Sequence, residues 1–161
     1  MTNEKLFAGT AVAAWKLAIS RLDQMTAALT DEQLQTEVAP GRNRVYYLIG
    51  HLAVVHDRLF PMLDFGPRLY PQLDDQFLTK PDRSVPDTLS PADLRKALTD
   101  VNAKLTAGIE ALPAADWLKK HASVSEEDFA KDPLRNRLAV LQSRTAHVAF
   151  HAGQIRLIQK S

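Results

Sequence analysis

The chain has 161 residues, enough for one domain with a sizeable core, and its 45% hydrophobic and 24% charged fractions are those of an ordinary globular protein. Twenty basic residues against 19 acidic ones leave a net charge of +1 with no block of like charge, which gives no electrostatic basis for binding nucleic acid or an anionic membrane. The absence of cysteine excludes disulfides, cysteine–zinc sites and a protein thiol nucleophile.

Apolar residues recur at helical spacing in four long segments. The first runs from about Asn3 to Leu29, with Val12, Trp15, Ile19, Leu22 and Leu29 as its stripe. Thr30-Asp31-Glu32-Gln33 then reads as a capping box that opens a short turn of helix, and Pro40-Gly41 breaks the chain. The second segment is expected to begin at Asn43 as N-cap, and Val45, Leu48, Leu52, Val55, Leu59 and Leu63 form its stripe. From Phe65 to Leu89 periodicity is lost among repeated prolines. A stretch so long without helical pattern is unusual in a compact domain and often functional.

Ser90-Pro91-Ala92-Asp93 opens the third helix, with serine as cap, proline at the first helical position and aspartate at the positive end of the dipole. Leu94, Leu98, Val101, Leu105, Ile109 and Leu112 follow at steps of three and four, and Pro113 ends the run. A polar connection holds Trp117, expected in a turn packed on the bundle. Asp132-Pro133 repeats the cap-then-proline signal, so the fourth helix is expected there, with Leu134, Leu138, Leu141, Val148 and Ile155 as its stripe and Arg156 and Lys160 near its C-terminus. No segment reads as a strand. The expectation is one all-α domain over residues 1–161, a four-helix bundle. A crossover from 65 to 89 that returns the chain to the start of helix two makes the order up-down-down-up.

The chemistry lies in the histidines. His147 and His151, four apart on one helix, are about 40° apart around the axis and one turn apart along it, a spacing that lets two imidazoles share a metal. Alone, the pair fits a polar helix edge as well. His51 strengthens it. It lies eight residues after Asn43, and His151 lies eight before Gln159. In antiparallel helices all three imidazoles then share one level, roughly 12 Å from the helix ends. Three histidines leave a fourth position for water or substrate, as in a catalytic site. Nitrogen ligation suits zinc or nickel, and also iron or copper.

The other polar residues read as follows. His56 is about 140° around the helix from His51 and is expected at the surface or behind the ligands. His121 follows two lysines in a polar loop and is expected to be solvated. Gln154, one turn beyond His151, could orient a ligand, or be simply solvated. Tyr47, one turn before His51, could line the pocket or sit at the edge of the core. Asn43 could reach the same end, but capping accounts for it. The segment His147-Val148-Ala149-Phe150-His151 lacks the glutamate of a zinc-protease helix. A hydrolytic base would have to come from Glu37, Asp57 or the 65–89 segment.

The segments Asn43 to Gly50-His51-Leu52 and Thr145-Ala146-His147-Val148-Ala149-Phe150-His151-Ala152-Gly153-Gln154-Ile155 resemble the motifs of the DinB superfamily (DinB/YfiT-like metalloenzymes). The Leu29–Leu34 turn is similar too. The resemblance implies a four-helix, up-down-down-up fold, often dimeric, with His51, His147 and His151 at the ligand positions. It also implies a small-molecule substrate and, from characterised relatives, transfer of a low-molecular-weight thiol as cosubstrate. A metal-dependent hydrolase and a non-catalytic metal-binding bundle remain the alternatives. With no signal-peptide pattern at Met1–Lys5 and no apolar run that spans a bilayer, a cytoplasmic place is expected.

Overall fold

The computed structural model describes residues 1–158; Gln159 and Lys160, which figure in the reading of the last helix, lie outside the described residues. Helix α1 spans Asn3–Ala27, and its N-cap Thr2 accepts from the Lys5 amide. The short α2, Asp31–Leu34, is opened by a reciprocal capping box. Thr30 Oγ1 accepts from the Gln33 amide at 3.2 Å, and Gln33 Oε1 accepts from the Thr30 amide at 2.9 Å. Helix α3, Val45–Asp57, breaks at Arg58 and continues as α4, Leu59–Met62.

Helix α5 covers Pro91–Ala111 and starts as its sequence requires, the Asp93 amide donating to Ser90 Oγ at 3.1 Å. The 3₁₀ turn Ala114–Leu118 lays Trp117, 1% exposed, against α1 and α7, where α7 is the last helix, Arg137–Ile158. Among the described residues the only extended pairings are two isolated bridges, Glu37–Arg44 and Lys120–Asn136. No helix among the described residues is long and apolar enough to cross a membrane.

Two helix starts differ from expectation. Arg44, not Asn43, precedes α3, and no side chain caps it. Asn43 is used up in the Glu37–Arg44 bridge, its carbonyl accepting from the Val38 amide at 3.1 Å. Asp132-Pro133 does not open the last helix. It closes α6, Glu126–Lys131, a helix capped by Ser125 that periodicity does not show. The Asp132 carboxylate instead folds a turn back onto the Leu134 amide, and the Arg137 amide is tied to the Lys119 carbonyl. Helix α7 therefore starts later, with Asn136 Oδ1 accepting from the Ala139 amide at 2.9 Å. Leu134, expected in the stripe, is 76% exposed, while Leu141, Val148 and Ile155 are fully buried.

The long helices pack pairwise around one core: α1 on α5 and α7, and α3 on α5 and α7. Side-chain contacts give their directions. Lys16 pairs with Glu110, and Arg95 with Asp31, so α1 and α5 are antiparallel. Tyr46 meets Leu89 and His56 meets Asn102, so α3 and the start of α5 run parallel. Asp64 pairs with Arg137 while His51 meets His147, so α3 and α7 run antiparallel.

The 65–89 segment is ordered by α3. At one end the buried Asp57 carboxylate accepts from the Leu69 and Tyr70 amides at 2.6 and 3.1 Å and from Arg68 Nε at 3.0 Å. Gly66, at φ +100°, makes the turn that brings those amides there. At the other end Arg44, 5% exposed, binds Asp82 and Asp87. Between them the hydroxyls of Tyr47 and Tyr46 donate to the carbonyls of Lys80 and Leu89, each at 2.9 Å. The crossover thus runs back along α3 from its C-terminus to its N-terminus, and in its middle one turn of π-helix, Asp75–Thr79, carries Phe77 onto Gly50.

Candidate metal centre

Three imidazoles converge between α3 and α7. His147 Nε2 lies 2.9 Å from His151 Nε2 and 3.4 Å from His51 Nε2, and the three potential donor atoms fall within 4.8 Å of one another. The antiparallel α3–α7 pair brings residues eight from each expected helix end to one level, and the i,i+4 step supplies two donors from one face. His51 and His147 are half-buried and His151 is buried.

The rings are held in orientation. His51 Nδ1 donates to the Phe77 carbonyl at 3.0 Å, a carbonyl in a turn too short to bond it internally. His151 Nδ1 donates to Gln154 Oε1 at 2.7 Å. A proton on Nδ1 leaves the Nε2 lone pair facing the cluster, the form that ligates a cation. Tyr47 stacks parallel to His51, ring centroids 6.3 Å apart, and is only 9% exposed. It steadies the ring from the core side and its hydroxyl is occupied by Lys80.

Burial pushes all three imidazoles below the ordinary histidine value. For His147 the neighbouring His151, Arg144 and His51 add to burial and bring it to about 4; for His51 the Phe77 carbonyl partly opposes the shift. At neutral pH the three are unprotonated at the cluster and need lose no proton to accept a cation. Lone pairs this close repel one another unless a proton or a cation lies among them. The donor set therefore fits a divalent ion held by nitrogen, with no carboxylate in the group.

The remaining candidates fall elsewhere. His56, expected at the surface or behind the ligands, is fully buried; its Nδ1 donates to Asn102 Oδ1 at 2.7 Å and its ring meets Trp15 edge-on at 5.2 Å. The faces of α3 explain this, since the helix is buried on nearly all sides and the residue 140° from His51 points to α1 and α5 rather than to water. His121 is half-buried, not solvated, because its loop is folded under the chain that enters α7. Neither named carboxylate is free to act as a base. Asp57 is spent on the crossover, and Glu37 accepts from Arg83 and from the Gly41 amide.

Against His151, the one cluster histidine that lines it, opens a cleft of about 630 Å³ whose lining includes Leu48, Phe150 and Leu157 together with Arg42, Asn43 and Gln154. It gives a reactant an apolar wall and a few polar anchors. Two partners of the site carry no sequence signal. Phe77 contributes a backbone carbonyl, and Arg144, whose Nη1 lies 3.4 Å from His147 Nδ1, stands one turn before it on α7.

The family model of the DinB superfamily matches residues 14–155. Among solved structures, YfiT from Bacillus subtilis, described as a probable metal-dependent hydrolase with an unusual four-helix bundle topology, superposes with a TM-score of 0.64 at 15% identity, covering 99% of this chain and 89% of that one. A conserved protein from Enterococcus faecalis gives 0.64 at 19% identity, covering 100% and 99%. At such identities the likeness is one of fold. No curated protein matches the chain.

Proposed function

The chain belongs to the DinB superfamily, and on that premise we propose that it is a divalent-metal enzyme whose centre, His51, His147 and His151, activates a small external thiol for transfer to an electrophile. The observation that carries the reading is the convergence of three Nε2 atoms with no carboxylate among them. Zinc or nickel suits such a set best, and iron is a further candidate. When bound, the cation supplies Lewis acidity, lowering the pKa of a coordinating thiol or water.

The residues supply the rest. His51 and His151 are kept in the ligating tautomer by Phe77 and Gln154, and Tyr47 backs the His51 ring. The cleft wall of Leu48, Phe150 and Leu157 seats the apolar part of an electrophile. The sulfur–carbon bond forms as the leaving group departs with its electron pair, and the thiol proton passes to solvent. Coordination lowers the pKa of a thiol, and the thiol must come from outside because the chain has no cysteine. Of the bases that could assist a water nucleophile, Asp57 and Glu37 are both engaged, which leaves the 65–89 segment as the source of one.

Elemental analysis of the purified chain beside His51→Ala and His147→Ala tests the centre. One divalent ion per chain is expected, lost from both variants; full occupancy in both would sink it. Metal-dependent turnover that requires an added thiol supports transfer. Turnover with water alone would instead support the hydrolase reading, which the likeness to YfiT, a probable metal-dependent hydrolase, favours.

A further inference from the structure

Two of the three rings have an acceptor behind them, and the third does not. Behind His147 stands the Arg144 guanidinium. Its Nη1 lies 3.4 Å from His147 Nδ1, so this ring faces a cation where the other two face a neutral oxygen. Arg144 Nε is buried without a hydrogen-bond partner, and among the described residues the side chain has no carboxylate in ion-pair range.

This is not the habit of the chain. Its other largely buried arginines, Arg44, Arg68, Arg95 and Arg137, each pair with aspartate. A guanidinium half withdrawn from water beside a cation-binding cluster is electrostatically unfavourable unless an anion joins it.

We infer that the reactant of this centre carries a carboxylate, and that Arg144 holds it. The inference rests on the metal-centre reading and names the substrate class of that site. The planar guanidinium fork matches a carboxylate with two parallel hydrogen bonds. Arg144 is then a specificity-determining residue: it selects acidic reactants over their neutral amides.

The test uses the full chain, zinc-loaded and metal-free, with acetate as probe and acetamide as its neutral control, titrated by calorimetry into wild type, Arg144→Gln and Arg144→Lys. Acetate should bind wild type about tenfold more tightly than Arg144→Gln, with Arg144→Lys between them and acetamide indifferent to all three. Arg144→Gln should melt no lower than wild type, since it removes a desolvated charge with no protein partner. Equal acetate affinity in wild type and both variants would overturn the inference, as would a loss of acetamide binding that parallels the loss of acetate. Failure of the metal reading is separate. A wild-type chain that takes up no zinc but binds acetate through Arg144 would remove the metal centre and keep the anion site.

Discussion

At the scale of single residues, Gly50 shows how tightly the site is built. The ring of Phe77 lies 2.3 Å from where a Gly50 Cβ would stand, so the crossover reaches His51 only because its neighbour has no side chain. In an exposed helix, Gly→Ala stabilises by up to about 1 kcal/mol. Here overpacking should outweigh that gain, and Gly50→Ala is expected to cost about 1–3 kcal/mol in urea unfolding. The same variant moves the Phe77 carbonyl off His51 Nδ1, so zinc affinity should fall with it; unchanged affinity would show that the carbonyl does not orient the ring. Three histidines were legible at this scale because side-chain spacing on a helix fixes direction. The Phe77 carbonyl was not, since every residue has one, and Arg144 was not, since an unpaired arginine is recognised only once its surroundings are known.

At the scale of elements, the crossover depends on two buried charges at the two ends of α3. Asp57 secures its beginning and Arg44 its end, with Asp82 8% exposed at the side chain. Breaking a buried pair leaves a charge without a partner, and Asp82→Asn is expected to destabilise the fold by about 3 kcal/mol, the retained Asp87 keeping the loss at the low end. Hydrogen exchange should rise first in residues 75–89. By contrast Leu134→Ser, at a position that sequence periodicity places in the core and the fold leaves exposed, should change stability by less than about 0.5 kcal/mol. The two helix starts that differ from expectation share a cause. Cap-and-proline signals mark where a helix can begin, and the bridges Glu37–Arg44 and Lys120–Asn136 decide where extended pairing ends and the helix does begin.

For the whole molecule, His56 makes folding sensitive to acid. Burial, partly opposed by the Asn102 hydrogen bond, pushes it down to about 3, while in the unfolded chain it titrates at an ordinary value. The unfolded state then binds more protons, so the stability is fully present above about pH 6.5 and is lost as pH falls toward the folded value. Each pH unit in that window costs up to about 1.4 kcal/mol. Urea unfolding of the metal-free chain at pH 7 and pH 5 should therefore differ by about 2 kcal/mol on account of His56. His56→Gln should remove that part of the slope and leave the part due to the three cluster histidines. An identical slope in both proteins would show that His56 does not carry it.

The amino-acid sequence by itself determined the helical class, the start of α5 at Ser90-Pro91, the capping box at Thr30 and the three histidines, because each depends on periodicity or on groups a few residues apart. Tertiary structure decided what depends on partners distant in the chain. It turned His56 inward against Trp15 and Asn102, engaged Asp57 and Glu37 elsewhere, laid Phe77 on Gly50 and left Arg144 beside His147 without a carboxylate. The reason is physical: hydrogen-bond directions along one helix follow from its geometry, whereas desolvation and charge compensation are properties of the space between helices.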